Sequence, residues 1–293
     1  MNKETQVRLI PSQKIIPIEK PTQEEFKLFS ELVLKDLGLE WGDDKKYLLH
    51  ARVQGRIQIL QMRTFEEYYD FVVKNENKVE KQYLYNAVTT TKSGFYREKQ
   101  HFEYLREKIF PEFKKIISNQ RKNLRFWSAG CSTGEEAYTI AMETHDFLGN
   151  IIISGGRLKI LGSDINTDVL EAAMNGRYNK ELVALIPDNF KKRYFLSNKY
   201  KNGDFVQIKQ NIQDLIQFRH FNLLDSEYPI ATKFQLVFCR NVLYYLDQKS
   251  REIVLRQLIK NIDEGGYLVL GITESGYKLE GVEKQEFSIY RKT

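Results

Sequence analysis

Phe126-Trp127-Ser128-Ala129-Gly130-Cys131-Ser132-Thr133-Gly134-Glu135-Glu136-Ala137-Tyr138-Thr139-Ile140-Ala141-Met142 reads as a strand, a loop of small residues and then a helix. A short apolar entry (Leu124, Phe126, Trp127) gives way to small residues. Ala137, Ile140 and Ala141 then recur at helical spacing behind two acids suited to a first helical turn. Small side chains let a backbone come within contact of a bound cofactor, and the helix that follows aims its free N–H groups back at the loop. The stretch has the character of a nucleotide-cofactor turn, although a strand-helix turn that binds nothing shares these features.

The dinucleotide fingerprint G-x-G-x-x-G would need a second glycine where Ser132 stands, which disfavours pyrophosphate. The spacing instead resembles the first motif of Rossmann-like methyltransferases, commonly an acid followed by G-x-G-x-G. Gly130 and Gly134 are kept, and Ser128 and Ser132 are substituted.

Downstream, Leu158-Lys159-Ile160-Leu161-Gly162-Ser163-Asp164 is a second strand ending in an acid, at the tip where nucleotide folds place the carboxylate that holds ribose hydroxyls. A carboxylate can accept from both hydroxyls at once. Capping the helix from Asp168 to Gly176 is the competing role, but Asn166, Thr167 or Asp168 can do that and leave Asp164 free. Residues 178 to 220 then break the strand-helix rhythm. A helix from Asn179 to Leu196, strands at Phe205–Ile208 and Ile216–Phe218, and a turn signal at Asn202-Gly203-Asp204 read as an inserted antiparallel element. The main sheet resumes at Gln235-Leu236-Val237-Phe238-Cys239-Arg240-Asn241, a buried strand with polar residues at its ligand-binding tip, preceded by Asn222, Leu223 and Leu224. A turn and strand over Asp263–Gly271 and a last strand around Phe287–Tyr290 close the chain.

Upstream, from Thr22 to Asn75, apolar residues recur at helical spacing, as in Phe26, Phe29, Leu32, Val33 and Leu37, and later Tyr47, Leu48, Val53, Ile57 and Leu60. Thr22 with Glu25, and Thr64 with Glu67, have the capping-box pattern, and Gly38 closes the first helix. This predicts a small all-helical domain over 20–86 that docks or covers. Residues 87–125 form a basic linker and helix that contributes to the active site, the helix ending near Phe110-Pro111. Residues 126–293 form the catalytic domain, with the insertion at about 178–220. Within the linker, Arg97 beside Phe95 and Tyr96, just upstream of the cofactor strand, has the composition of a binding site. Turn chemistry alone accounts for the threonines and Gly94.

The 293 residues carry a net charge of +6 and are 42% hydrophobic, enough for a sizeable core. No apolar run approaches a membrane span, residues 1–20 are polar with no signal-peptide core, and Cys131 and Cys239 have neither zinc nor disulfide spacing. A reducing cytoplasm is the expected setting. Residues 87–125 hold 10 basic and 4 acidic side chains and carry the whole excess, since residues 1–86 hold 14 of each and 126–293 hold 21 of each. A second local excess, 9 against 4, falls in 177–219. Focused charge favours one acidic partner surface over general adhesion to nucleic acid, with a solvated helix face as the alternative.

Four ordered blocks resemble the signature blocks of the CheR family, the chemotaxis-receptor glutamate O-methyltransferases: Thr89–Arg97 (TTTKSGFYR), Trp127–Met142 (WSAGCSTGEEAYTIAM), Gly162–Tyr178 (GSDINTDVLEAAMNGRY) and Phe238–Asp247 (FCRNVLYYLD). The resemblance implies an α/β fold, a Rossmann-like class I methyltransferase domain with a small inserted antiparallel β element behind a helical N-terminal domain. It implies S-adenosylmethionine as cofactor, no metal, and glutamates on the cytoplasmic helices of methyl-accepting chemoreceptors as substrate. By matching position, Thr91, Ser93, Arg97, Gly130, Glu136, Asp164, Asn222, Leu223, Arg240 and Asn241 would contact the cofactor, and Tyr245 would lie near the reacting centre. Some relatives also hold the receptor's C-terminal tail on the inserted β element, and a monomer is the family expectation. Thr91 and Ser93 depart from the family's usual asparagine and threonine. Ile272-Thr273 stand where histidine-serine is common before Glu274.

A glutamate is already ionised at pH 7, so methyl transfer to its oxygen needs no general base, in keeping with four blocks that contain no histidine. Arg97 and Arg240 are expected to orient carboxylates, the substrate's or the cofactor's own, and Tyr245 to position the attacking oxygen. Two rivals stand beside this reading. One is methylation of RNA or another amine or base, against which the N/D-P-P-Y/F stretch is missing at the strand tip; Cys239 could serve it as a covalent nucleophile, but its place in an apolar strand favours a buried structural cysteine. The other is a non-catalytic module that only holds the cofactor.

Overall fold

A computed structural model describes residues 17–74, 77–120, 123–149, 158–196 and 204–293. The polar start of the chain and the Asn202-Gly203 turn signal lie mostly outside the described residues. The chain divides into two units, one drawing on residues before 32 and on 41–88, the other on 32–40 and 89–293.

In the first unit the helices are α1 (Gln23–Leu37, shared with the second unit), α2 (Lys46–Ile59), α3 (Phe65–Val73) and α4 (Lys78–Val88). Both sequence caps form. The Glu25 N–H donates to Thr22 Oγ1 at 3.1 Å while the Thr22 N–H donates to Glu25, and the Glu67 N–H donates to Thr64 Oγ1 at 3.1 Å. Phe29, Val53, Ile57, Phe65, Tyr68 and Val72 are buried together, whereas Tyr47 is 70% exposed. A two-pronged Arg56–Glu80 pair, with the Tyr68 hydroxyl donating to the same carboxylate, satisfies the buried charge.

The second unit contains α5 (Gln100–Tyr104), a π turn (Leu105–Ile109) and α6 (Phe110–Gln120) in unbroken succession. The helix therefore runs past Phe110-Pro111, where the sequence suggested an end. The π turn shifts the hydrogen-bond register just before Pro111, so the ring enters a renewed first turn where its missing N–H costs no ladder bond.

Strands β1 (Leu124–Ala129), β2 (Leu158–Asp164), β6 (Ile216–His220), β7 (Phe234–Cys239), β8 (Ile262–Leu270), β9 (Val282–Lys284) and β10 (Ile289–Lys292) form a seven-stranded sheet in the order β6-β2-β1-β7-β8-β10-β9. The pairings of β1 with β2 and β7, of β2 with β6 and of β7 with β8 are parallel; β10 runs antiparallel to β8 and β9. Both faces are apolar, as central parallel strands require. Phe126, Leu236, Phe238 and Val269 face a core shared with α5, α6 and α7 (Glu135–Leu148). Trp127, Val237, Cys239 and Leu268 face a core that takes in Val254, Leu255 and Leu258 of the C-terminal helix, Gln248–Lys260. The next element after β2 is α8 (Thr167–Asn175), capped by Asn166, whose side chain accepts the Asp168 and Val169 N–H groups. This is the α/β class I methyltransferase architecture with a helical N-terminal region.

Two details of the insertion differ from expectation. The helix over 179–196 is only α9 (Asp188–Tyr194), because an Asx turn at Asn179 and the restriction that Pro187 places on Ile186 turn the chain before it can coil. The antiparallel sheet is β3 (Arg177–Asn179), β5 (Phe205–Ile208) and β4 (Phe195–Leu196), in the order β3-β5-β4. Ile216–Phe218 is not part of it; it lies in β6 and extends the main sheet beside β2.

Candidate functional site

The chain leaves β1 toward β2 and β6 on one side and later returns as β7 on the other, so the strand order reverses at β1, and the carboxyl ends of β1, β2 and β7 open onto one crevice. At the β1 tip the backbone is left-handed at Gly130 (φ 72°), Ser132 (φ 50°) and Gly134 (φ 93°). A Cβ on Gly130 would stand 2.5 Å from Val242 Cγ2, and one on Gly134 would stand 2.9 Å from Ala173 Cβ. Glycine is required there by both torsion and space. The Gly130 and Cys131 N–H groups both donate to the Ser163 carbonyl at 2.8 and 2.9 Å, which binds the loop to the β2 tip.

Asp164 completes that tip. One carboxylate oxygen accepts the Ser132 N–H at 2.9 Å and the other the Asn166 N–H at 3.0 Å, and the Ile165 N–H is a third backbone donor, which leaves accepting capacity for a ligand hydroxyl. Burial pushes this carboxyl above its usual range, and the backbone donors pull it partly back. Thr91 is brought to the same loop by its carbonyl, which accepts from Ser132 Oγ at 2.8 Å, while Ser93 is half-buried in the segment that follows.

At the β7 tip, buried Arg240 donates through Nε to Glu136 at 2.7 Å, and Ser128 Oγ donates to the other Glu136 oxygen at 2.6 Å. Arg240 Nη1 donates to the Arg97 carbonyl at 2.7 Å and to Nδ1 of His101 at 3.1 Å. The carboxylate Arg240 grips is thus the chain's own Glu136, in place of the ligand carboxylate expected. His101 can face this cation because burial, and then Arg240 itself, push its pKa down to about 3. Arg97 is exposed and donates to the Lys92 carbonyl at 3.2 Å.

Asn241 is left-handed (φ 59°) and donates through Nδ2 to Glu98 at 3.3 Å. Its N–H, with those of Leu243, Tyr244 and Gly271, is collected by the buried Glu274 carboxylate. Tyr245, on the short turn Leu243–Tyr245, lies against Tyr244 with ring centroids 4.1 Å apart and the rings tilted by 38°.

Asn222 is turned elsewhere. Its Nδ2 donates to the Asp36 carbonyl at 2.6 Å and its Oδ1 accepts the Leu224 N–H, so the amide organises a loop; Leu223 packs against the apolar cluster behind β7. Cys239 is fully buried, and burial pushes its thiol well up, which removes the thiolate a covalent mechanism would need. Sequence reasoning missed Glu98, His101 and Ser163. Glu98 and His101 sit just past the Thr89–Arg97 block, and a longer reading of that block would have reached them.

Residues 91–290 match the family model described as CheR methyltransferase, SAM binding domain, and residues 24–89 match CheR methyltransferase, all-alpha domain. The chain is similar to the chemotaxis protein methyltransferase of Borreliella burgdorferi, 31% identical over 87% of this chain and 89% of that protein. It is also similar to those of Salmonella typhimurium, 32% identical over 92% of this chain and 88% of that protein, and of Escherichia coli, 32% identical over 87% and 85%.

Proposed function

The chain belongs to the CheR methyltransferase family, a family of S-adenosylmethionine-dependent enzymes, and from that premise we propose that it methylates glutamate side chains on the cytoplasmic helices of chemoreceptors. One observation carries the choice of a carboxylate nucleophile. The histidine beside Arg240, His101, is buried, neutral and already accepting from that arginine, so it is no base for an amine or hydroxyl substrate, and His220, at the end of β6, turns its Nε2 to the Ile165 carbonyl at 3.1 Å. An ionised glutamate needs none.

The site fits the cofactor. Gly130 and Gly134 let the loop pack without side chains against Val242 and Ala173, and Asp164 keeps accepting capacity beyond its backbone donors for a ligand hydroxyl. Gly130, the start of α7 and Asp164 would hold the nucleoside end, with Thr91, Ser93 and Asn241 along the rim. When bound, the cofactor supplies a methyl group on a positively charged sulfur. Arg97, whose guanidinium is exposed, takes one substrate oxygen and leaves the other free to attack. Tyr245 positions that oxygen, while Arg240, Glu136 and Glu98 hold the frame. Because opposite charges neutralise as the methyl moves, alignment and exclusion of water supply most of the catalysis.

Lys92, Lys99, Lys108, Lys114 and Lys115 are exposed, so the basic segment favours an acidic helix as partner, whereas Arg106 is spent internally on Glu143 and Asp146. The β3-β5-β4 sheet is the place for a receptor tail added as a further strand. We take the enzyme as a cytoplasmic monomer that uses no metal. Among the described residues no helix is long and apolar enough to cross a membrane.

The test is incubation with methyl-labelled S-adenosylmethionine and chemoreceptor-bearing membranes. Label on receptor that mild base releases as methanol is the expected result; label that survives base, or that reaches RNA instead, overturns the carboxylate assignment.

A second expectation concerns Asp164. Ligand hydroxyls donate best to its ionised form, so binding lowers a pKa that burial has raised. Affinity is then full above the raised value and is lost as pH falls through it, by about tenfold for each unit between free and bound values. Calorimetric titration of S-adenosylhomocysteine between pH 8 and 5 should show this decline, and Asp164→Asn should bind more weakly and almost without pH dependence.

A further inference from the structure

The geometry points to Tyr96 and Glu143 as positioning residues for Arg97, a clamp that rests on the reading of Arg97 as the group that meets substrate. Arg97 is bracketed by two residues in left-handed backbone, Tyr96 (φ 56°) and Glu98 (φ 55°). Residues with a Cβ persist there only where their surroundings hold them. On the Glu98 side the hold is the one described, with the Arg97 carbonyl on Arg240 and the Glu98 carboxylate accepting from Asn241 Nδ2 and the Ile272 N–H.

On the other side the hold is Tyr96. Its hydroxyl donates to Glu143 Oε1 at 2.7 Å, and its ring packs edge-on against Phe102 and Phe190. Glu143 is only 5% exposed, and its second oxygen accepts from Arg106 at 2.7 Å, which keeps a buried carboxylate available for the phenol. Glu136 and Glu143 lie two helical turns apart on α7, hence on one face. The helix that starts at the cofactor loop therefore grips the Arg97 turn at both ends, through Glu136 and Arg240 at one and through Glu143 and Tyr96 at the other. A phenol satisfied by a core carboxylate is common and need mean only packing. What separates this one is its strained backbone and its place next to an exposed guanidinium.

A double-mutant cycle on the full-length protein tests the clamp, using wild type, Tyr96→Phe, Arg97→Ala and the double variant. Methyl transfer to receptor membranes and binding of S-adenosylhomocysteine are measured for each. Tyr96→Phe removes one hydroxyl and keeps the ring. It is expected to lower kcat about tenfold while product affinity stays within about twofold, and to have no further effect in the Arg97→Ala background. Equal losses in both backgrounds would make Tyr96 an independent packing residue and overturn the clamp. A silent Tyr96→Phe beside a damaging Arg97→Ala would overturn the clamp alone; a silent Arg97→Ala would overturn the reading of Arg97 and the clamp with it.

Discussion

Arg240→Leu is expected to destabilise the protein by about 3–5 kcal/mol, the usual consequence of stripping one partner from a buried ion pair, and to abolish methyl transfer. Arg240 is 6% exposed and Glu136 9%, so the carboxylate left behind would keep only the Ser128 hydroxyl as a donor in a site largely closed to water. The double substitution Arg240→Met with Glu136→Leu separates the two effects. Replacing both charges by apolar groups of similar volume is often neutral for stability, so the denaturation midpoint should recover much of its loss. Activity should not recover, because the Arg97 carbonyl and His101 Nδ1 would still lack the donor that ties the Arg97 turn to the β7 tip. Urea unfolding alongside methyl-transfer assays reads both. If the double variant is as active as wild type, the pair is a packing feature and the frame assigned to it does not exist.

The contrast between this pair and its surroundings shows what the sequence could disclose. Gly130, Gly134 and Asp164 were legible because each answers to a local rule: a left-handed loop after a strand, or an acid at a strand tip. The caps at Thr22 and Thr64 were legible for the same reason, since donor and acceptor lie within three residues, and the cap of α8 was narrowed to Asn166, Thr167 or Asp168, of which Asn166 serves. Arg240 and Glu136 could be singled out by family likeness, but not as partners, for 104 positions separate them and only the sheet order brings β7 beside β1. The side-chain partner of Asn222 was hidden for a related reason. Its polar type at a strand approach is as well suited to a backbone carbonyl 186 positions away as to a ligand, and it takes the carbonyl. In the insertion, Val183, Ile186, Phe190 and Tyr194 recur at helical spacing and are all buried, yet only the last two lie on a helix. Apolar spacing reports which residues turn inward; Asn179 and Pro187 decided the backbone. Ile216–Phe218 looked like a hairpin partner because a short strand carries no mark of which neighbour it will pair with.

Glu274→Gln is expected to cost about 2–4 kcal/mol and to lower kcat with it, since a buried N–H deprived of its acceptor costs roughly 1–3 kcal/mol. In the native protein one oxygen accepts the Asn241 and Gly271 N–H groups at 3.0 and 2.8 Å, and the other those of Leu243 and Tyr244 at 2.8 and 3.3 Å. Both oxygens are needed. An amide can keep one pair but must turn its NH₂ against the other, and whichever way it lies it loosens the turn that holds Asn241 in left-handed backbone and presents Tyr245. The pH dependence has a definite sign. Burial raises the Glu274 pKa above its ordinary 4.5, although the four N–H groups oppose the shift. A raised carboxyl contributes stability that is present below the ordinary value and is lost as pH rises through the raised one. Glutamine does not titrate, so the stability gap between wild type and Glu274→Gln should be widest in mild acid and narrow toward neutrality. Urea midpoints from pH 5 to 8 test this directly. A gap that widened with pH would mean that the four donors outweigh burial, and that the ionised carboxylate, not its neutral form, is what the fold prefers at this turn.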